Sequence, residues 1–219
     1  RTLVREAHAR GLGILIKPHL AYWGSPFEWR GSIDFPALED RERFWTSYSA
    51  WIETVAATCA GADAFAIGTE LSLLERDAER WRELATRVRG RTDAALTYAA
   101  NWDRYGSVEF WDALDCVGVQ GYFPLTAETS TPRVPAANAL AAAWQGHFDE
   151  LRAVHRRTGK PVVFTEVGFT LSERAAIAPW SAARERTEAA LETQARCLRV
   201  TLEQIAASED WLRGAFLWK

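Results

Sequence analysis

The sequence predicts an α/β fold in which the strands of a parallel sheet alternate with helices. Six apolar runs are expected to form strands, at residues 12–19, 64–68, 94–101, 116–122, 162–166 and 214–218. Helical periodicity or a helical turn lies between most of these runs, and no Asn-Gly hairpin signal joins any two of them. Continuous apolar strands in such an alternation are typical of a parallel sheet that helices cover.

The first half of the chain contains three predicted helices and one long loop. Residues 3–11 are expected to end a helix at a glycine, and residues 20–36 form an aperiodic loop rich in Gly, Pro and aromatic residues. Apolar residues at i, i+3 and i+4 predict a helix over Glu39–Ala60. The letters SLLE, which begin at Ser72, match a capping box, so we expect a helix from Ser72 to Gly90 with Ser72 as its N-cap.

The second half continues the alternation. A short amphipathic turn is expected around residues 108–114, and a Pro- and Thr-rich loop follows the strand at 116–122. The spacing of apolar residues predicts helices over about 137–158 and about 183–207.

Two architectures fit this order: an open doubly wound sheet, and a (β/α)8 TIM barrel of which six strands are present. An open sheet usually carries a glycine-rich phosphate-binding turn after its first strand, and the letters PHLAYWGS from Pro18 onward do not form one. Polar and aromatic residues instead follow the C-terminal ends of several strands, as in a barrel active site. These residues are Lys17, His19, Glu70, Asn101, Tyr122, Glu166 and Trp218. We therefore predict a partial (β/α)8 barrel, with residues 1–219 forming a single domain.

Composition narrows the classes of function. The 219 residues carry a formal net charge of −3 and a pI near 5.9, so charge favours neither nucleic acid nor an anionic membrane as partner. No apolar run is long enough to cross a bilayer. Cys59, Cys116 and Cys197 lie far apart without CxxC spacing, which indicates small buried side chains and no disulfide framework. The 11 tryptophans hint at exposed aromatic faces that could bind sugars.

Two predicted strands end in Thr-Glu, at Glu70 and at Glu166. A glutamate before a helix can simply neutralise the positive helix end, and this alternative stays open for Glu70. It explains little for Glu166, because the next predicted helix begins more than ten residues later. Paired carboxyl groups suit glycosidic bond cleavage: one protonates the leaving oxygen, and the other, roughly 5–5.5 Å away, attacks the sugar carbon with retention of configuration.

Other chemistries fit less well. The four histidines are scattered and form no cluster with Cys, Asp or Glu at metal-ligand spacing, and no G-x-S-x-G nucleophile elbow occurs. We therefore expect neither a metal nor an organic cofactor. A non-catalytic sugar-binding barrel remains an alternative, although such a protein could dispense with one glutamate.

Five segments, in this order along the chain, resemble glycoside hydrolase family 113. They are IGTEL, LTYAANWD, FWDALDCVGVQGYFPL, GKPVVFTEVGF and GAFLWK, and the upstream ILIKPHL and WRGSI fit the same family. The resemblance covers nearly all of the chain. It implies a retaining (β/α)8 glycosidase, chiefly an endo-β-1,4-mannanase acting on mannan or glucomannan. A related enzyme for another β-linked glycan, glucan or xylan, is the alternative.

The resemblance also implies roles for individual residues. Glu70, on the fourth barrel strand, would be the general acid/base, and Glu166, on the seventh, the nucleophile. Tyr122 would hydrogen-bond the nucleophile, and Trp218 would form the floor beneath the sugar being cleaved. Weaker candidates for substrate contacts, each with a structural role as the alternative, are Trp29, His19, Lys17, Asn101 and Trp102.

Two features depart from a complete barrel of this kind. In the wider clan an Asn that binds the sugar 2-hydroxyl precedes the acid/base, whereas Thr69 stands here, and we hypothesise that Asn101 takes over this contact. If Glu70 ends the fourth strand, the first two βα units are missing. The chain also begins at Arg1 without a methionine, so we expect a piece of a longer protein. Alone, such a piece is expected to be unstable and feebly active, and an inactive fragment is the alternative.

Overall fold

The computed structural model describes residues 2–127, 134–208 and 210–218. In this part of the chain six strands follow one another in one sheet in sequence order: β1 (Leu15–Ile16), β2 (Ala64–Thr69), β3 (Ala95–Asn101), β4 (Val117–Gln120), β5 (Val162–Val167) and β6 (Leu212–Leu217). The helices are α1 (Thr2–Ala9), α2 (Leu38–Thr58), α3 (Ala78–Arg89), α4 (Ala137–Thr158) and α5 (Glu188–Ala206). Strand pairs β1–β2, β2–β3 and β5–β6 are parallel. The order of elements is that of a partial (β/α)8 barrel, which confirms the predicted fold class.

The chain divides into two compact units, Arg1–Gly118 and Val119–Lys219. The core of the first unit contains a buried aromatic cluster formed by Trp45, Tyr48, Trp81, Tyr98 and Phe110. Trp81 of α3 stacks on Phe110 with ring centroids 5.2 Å apart, and the hydroxyl of Tyr48 on α2 donates to the Ile67 carbonyl of β2 at 2.8 Å. Because burial of one such ring stabilises a fold by about 2–3 kcal/mol, this cluster fixes α2 and α3 against the sheet.

In the second unit, α4 and α5 pack together beside β5 and β6. Trp144 of α4 is fully buried, and its indole N–H donates to the Thr201 hydroxyl of α5 at 2.9 Å. Gly159 follows the last residue of helix α4, and its φ of 68° is the left-handed conformation that glycine adopts at least cost. Thr187 caps α5 by accepting a backbone N–H of the first turn at 3.0 Å. Both helices thus begin or end where local sequence chemistry specifies.

The helix predicted to start at Ser72 starts later, so that prediction is wrong. Residues Ser72–Leu74 form a 3₁₀ turn without a side-chain cap, and α3 begins at Ala78. The physical reason is that the side chain expected to reach back in the capping box, Glu75, is buried instead and accepts a hydrogen bond from Tyr98 at 3.1 Å.

Two other boundaries differ from the sequence prediction. Strand β1 has two residues rather than eight, and Pro18, which lacks a backbone N–H, follows it closely. Helix α5 begins at Glu188 rather than near residue 183, because Thr187 caps it and a loop occupies residues 168–187. The Pro- and Thr-rich loop lies partly at 128–133, outside the described residues. Of the helices in the described part, none is both long and apolar enough to cross a membrane.

The three cysteines are not paired with one another. Cys197 is buried in α5, as predicted, and burial raises the pKa of its thiol to about 12. Cys59 and Cys116 are only half-buried, which the sequence interpretation as buried side chains did not anticipate.

Candidate active site

Glu166 is the second-last residue of β5, in the second unit, and it is only 7% exposed. The Tyr122 hydroxyl donates a hydrogen bond to Glu166 Oε2 at 2.5 Å. The backbone supports this contact, because the Gly121 N–H donates to the Glu166 carbonyl oxygen at 2.6 Å. A short hydrogen bond to a buried carboxyl group holds that group in one orientation.

Trp218 follows β6 and is hydrogen-bonded to β5, the strand that contains Glu166. Its N–H donates to the carbonyl of Val167, the residue after Glu166, at 2.9 Å. Gly168 permits this approach, since a Cβ atom there would lie 1.6 Å from the Trp218 carbonyl oxygen. The indole itself is 59% exposed. The second unit therefore brings Glu166, Tyr122 and Trp218 together at adjacent strand ends.

Glu70 follows β2 in the first unit and has an unusual backbone. Its φ of 53° is the left-handed conformation, and among the described residues no other non-glycine residue has a positive φ. Such a conformation costs of order 1–3 kcal/mol and persists only where the surroundings enforce it. The Glu70 N–H donates to the Ala99 carbonyl of β3 at 2.9 Å, which holds the turn against the neighbouring strand.

An ion pair holds the Glu70 carboxylate. Arg30 Nη1 donates to Glu70 Oε2 at 2.8 Å, and the two side chains are only 18% and 14% exposed, respectively. Arg30 opens a 3₁₀ turn in the long loop after β1, and its guanidinium also lies 5.9 Å from the centroid of the Tyr22 ring. A guanidinium at this distance favours the ionised form of a carboxyl group.

A buried hydrogen-bond network lies behind the Glu70 turn. The Leu71 N–H donates to the Tyr98 hydroxyl at 2.8 Å, and that hydroxyl donates to Glu75 Oε1 at 3.1 Å. Burial raises the pKa of Glu75 to about 7, although the Tyr98 hydrogen bond and the Arg104 guanidinium, 3.6 Å away, oppose that rise. Burial also raises the pKa of Tyr98. Residue 70 is therefore backed by a network that contains a carboxyl group titrating near neutral pH.

Sequence reasoning did not identify three of these side chains, Arg30, Tyr98 and Glu75. Arg30 lies within the segment WRGSI that fits the family, next to the predicted Trp29, and that position was the available signal. Glu75 was assigned to a capping box, and nothing local marks Tyr98 as a partner of the Glu70 turn.

The weaker predicted contact residues all lie in the first unit. Asn101 ends β3, and Asn101 and Trp102 are half-buried. Lys17 is half-buried and His19 exposed, both in the segment after β1, and this segment is tied to the end of β2 by a hydrogen bond from the Thr69 hydroxyl to the Pro18 carbonyl at 3.2 Å.

Trp29, at 37% exposure, precedes the 3₁₀ turn that contains Arg30. Its indole covers Gly31, where a Cβ atom would lie 2.1 Å from the ring. Its backbone carbonyl also accepts the Ser32 hydroxyl at 2.8 Å. This residue therefore packs on the turn that presents Arg30.

Comparison with protein families gives one match over the whole chain. A model described as Glycoside Hydrolase Family 113 matches residues 1–219. A search of curated proteins finds no match.

Comparison with solved structures points to the same family. A family 113 β-mannanase from Alicyclobacillus acidocaldarius, solved in complex with ManMIm, is similar with a TM-score of 0.80 and 29% identity, over 100% of this chain and 66% of that one. A structure described as a family 113 β-1,4-mannanase gives a TM-score of 0.81 and 25% identity over the same shares. A fungal β-1,4-galactanase structure, at 17% identity and a TM-score of 0.59 over 99% of this chain and 70% of that one, shares the fold. The chain thus spans slightly less than two thirds of the length of the two family 113 structures.

Proposed function

We propose, from the premise that this chain belongs to glycoside hydrolase family 113, that the protein is a retaining glycosidase that cleaves internal β-1,4-mannosidic bonds of mannan or glucomannan. The observation that carries the proposal is the buried Glu166–Tyr122 pair at the strand ends of a chain that matches this family throughout. Two family 113 structures similar to this chain are described as β-mannanases, which supports mannan as the substrate.

Glu166 is the proposed nucleophile. Its carboxylate oxygen attacks the anomeric carbon, the bond from that carbon to the glycosidic oxygen breaks, and a glycosyl ester of Glu166 forms. The Tyr122 hydroxyl, 2.5 Å from Oε2, fixes the carboxylate while the other oxygen forms the bond. Trp218, with its largely exposed indole, is the proposed floor beneath that sugar.

Glu70 is the proposed general acid/base. It gives its proton to the leaving oxygen in the first step, and in the second step it takes a proton from the water that attacks the ester carbon. That second attack releases Glu166 and restores the original configuration. Arg30 favours the ionised form of Glu70, which the second step requires, and disfavours the protonated form, which the first step requires.

The remaining predicted residues are proposed as substrate contacts. Asn101 is proposed to bind the sugar 2-hydroxyl, and Trp29, Trp102, His19 and Lys17 to line the substrate path. For Asn101→Ala we expect a lower kcat/KM on mannan, and an unchanged value would contradict this role.

Two measurements test the proposed reaction in the complete gene product. Proton NMR of the first product should show the β-anomer before mutarotation, and an initial α-anomer would contradict a retaining mechanism. Glu70→Gln and Glu166→Gln should each lower kcat on mannan by about 10³-fold or more. The matched controls Glu83→Gln and Glu203→Gln change exposed helical glutamates and should leave kcat unchanged.

A comparison of substrates tests the choice of glycan. Initial rates on mannan, glucomannan, cellulose and xylan should be highest on the first two. Faster hydrolysis of cellulose or xylan would keep the retaining mechanism and replace mannan by another β-linked glycan.

A further inference from the structure

A cavity of about 540 Å³ lies in the second unit and contains Trp218. Its lining includes Trp180, Arg184, Gln194, Ser181 and Thr170, all from the loop between β5 and α5 or from α5 itself. Its volume is within the range of about 300–1,000 Å³ that is usual for small-ligand sites. None of these five residues was a predicted site residue, so the cavity extends the candidate site toward this loop.

The loop that forms the cavity, residues 168–187, is held by hydrogen bonds within it and by the Leu125 and Thr126 N–H groups, which donate to the Ala176 carbonyl. The Thr170 N–H donates to the Pro179 carbonyl at 3.1 Å, and the Glu185 N–H donates to the Leu171 carbonyl at 2.6 Å. The segment 175–177 is buried. Connections of this length are uncommon in compact folds and are usually functional. We therefore expect this loop, which lies beside Trp218, to have a role in the candidate site.

Two indole side chains line the same cavity while remaining largely exposed. Trp180 is 47% exposed and Trp218 is 59% exposed. Large exposed aromatic surfaces are unfavourable in water, and when polar groups surround them they mark binding sites. The polar groups here are Arg184 and Gln194, and Gln194 is fixed by donation of its Nε2 to the Phe169 carbonyl at 2.7 Å.

This combination matches one chemical class of ligand. The two faces of a pyranose ring present C–H groups that pack on an indole, and its rim presents hydroxyls that both donate and accept hydrogen bonds. A cavity with aromatic walls and a few fixed polar groups offers both kinds of contact. Another cavity, about 570 Å³ against α2 in the first unit, is lined by small and charged residues such as Glu53 and Arg91 and offers no aromatic face.

We propose that Trp180, with Arg184 and Gln194, forms a subsite for a second pyranose unit of the β-linked chain, next to the unit that rests on Trp218. The proposal deepens the proposed function and rests on it for the position of the sugar on Trp218. It makes Trp180 a residue that determines how strongly longer chains are preferred over the shortest substrate.

The test compares chain-length dependence in the complete gene product with and without the Trp180 ring. We expect Trp180→Ala to lower kcat/KM about tenfold on long mannooligosaccharides, and to lower it less on the shortest substrate that the wild type cleaves. Trp180→Phe should retain part of the preference because it keeps an aromatic face. Equal activity of wild type and Trp180→Ala at every chain length would overturn the proposal.

Trp51→Ala is the matched control, since Trp51 is also a partly exposed tryptophan, 37% exposed on α2 in the first unit. It should leave the chain-length preference unchanged. Thermal unfolding of each variant separates a lost contact from a lost fold, and if Trp180→Ala fails to fold, the conservative Trp180→Phe carries the test.

Binding without turnover separates this proposal from the proposed function. Calorimetry on the Glu166→Gln variant, with mannose, glucose and xylose oligomers as probes, should show tighter binding of longer oligomers that the added Trp180→Ala change removes. If the wild type cleaves none of these oligomers but this binding difference persists, the subsite stands and the proposed reaction fails. Absence of binding by every oligomer overturns the subsite.

Discussion

Glu70 and Glu166 both follow a threonine at the end of a buried strand, yet their surroundings differ in kind. Glu166 lies within strand β5 and accepts a hydrogen bond from a neutral phenol, Tyr122. Glu70 lies in a left-handed backbone conformation and is paired with a charged guanidinium, Arg30. The same dipeptide is thus built into two electrostatic environments, and the partner of each carboxyl group, rather than the local sequence, indicates its role.

This difference suits the two proposed roles. A nucleophile needs a fixed carboxylate, and the Tyr122 phenol fixes it. An acid/base must exist in both protonation states during one cycle, and a guanidinium favours the ionised state that begins the second step.

The largest expected effect separates the two glutamates by leaving group. On a dinitrophenyl β-mannoside oligomer, whose leaving group needs no proton, Glu70→Ala should retain much of the wild-type kcat/KM, although it loses about 10²–10⁴-fold on mannan. Glu166→Ala should lose roughly 10⁴-fold or more on both substrates, because no covalent intermediate forms. Initial-rate kinetics on the two substrates measure this.

Added azide sharpens the assignment. In Glu70→Ala it should replace the water of the second step and yield a β-glycosyl azide, which NMR identifies. Glu83→Ala is the control on an exposed helix position. Equal losses of the two alanine variants on the activated substrate would mean that the environments do not reflect distinct roles.

The next effect concerns the network behind Glu70. Burial raises the pKa of Glu75 from 4.5 to about 7, so the native protein holds a proton that the unfolded chain releases. The free energy of unfolding therefore falls as the pH rises from about 4.5 to about 7. The decrease due to Glu75 is on the order of 3 kcal/mol. Glu75→Gln keeps a neutral side chain and should make the protein more stable than the wild type at pH 8, but not at pH 4.

Denaturant unfolding at both pH values measures this difference. Glu83→Gln should follow the wild type at each pH, because its carboxyl group is exposed. If the Glu75→Gln variant shows the same loss of stability with pH as the wild type, Glu75 is not the titrating group.

A smaller effect is expected at the partner of Glu166. Tyr122→Phe removes one hydrogen bond to a charged group, worth about 1.5–3 kcal/mol, so kcat should fall about 10–100-fold while KM changes little. Tyr48→Phe is the matched control: it also removes a buried hydroxyl hydrogen bond, the one to Ile67, and should cost about 1 kcal/mol of stability without a change in kcat. Equal kcat for Tyr122→Phe and the wild type would remove Tyr122 from the mechanism.

The smallest effect is expected at the partner of Glu70. Arg30→Lys keeps the positive charge but loses the planar fork and the contact with the Tyr22 ring, so kcat/KM on mannan should fall about threefold to tenfold. Arg76→Lys is a matched control, since Arg76 pairs with Asp34 at a more exposed position. A loss for Arg30→Lys no larger than for Arg76→Lys would show that the ion pair is structural only.

The sequence predicted the ends of β2, β3, β5 and β6 well because each of these strands is an apolar run that ends beside a polar or aromatic residue, whereas β1 ends earlier than predicted. Thus Glu70, Glu166 and Trp218 all lie where the pattern located them. The partners were not predictable in this way: Arg30 precedes Glu70 by 40 residues, and Tyr98 follows Leu71 by 27. Only folding of the loop after β1 and pairing of β2 with β3 bring these groups together.

One local pattern misled because tertiary contacts outweighed it. The letters SLLE satisfy the capping-box pattern, but burial among α3 and β3 places Glu75 against Tyr98 and moves the start of the helix to Ala78. A local capping interaction is worth about 1 kcal/mol, less than the burial of the surrounding aromatic cluster.

The hydrogen bonding of the loop at 168–187 has a consequence for engineering and for evolution. Residues near its two ends are joined where the Glu185 N–H donates to the Leu171 carbonyl, and its middle is anchored where the Leu125 and Thr126 N–H groups donate to the Ala176 carbonyl. Gly168, closed to any side chain by the Trp218 carbonyl, must be kept and lies before the exchangeable part. Replacing residues 172–184 while keeping Ala176 should therefore change the proposed preference among oligosaccharides and leave the sequence of β5 unaltered.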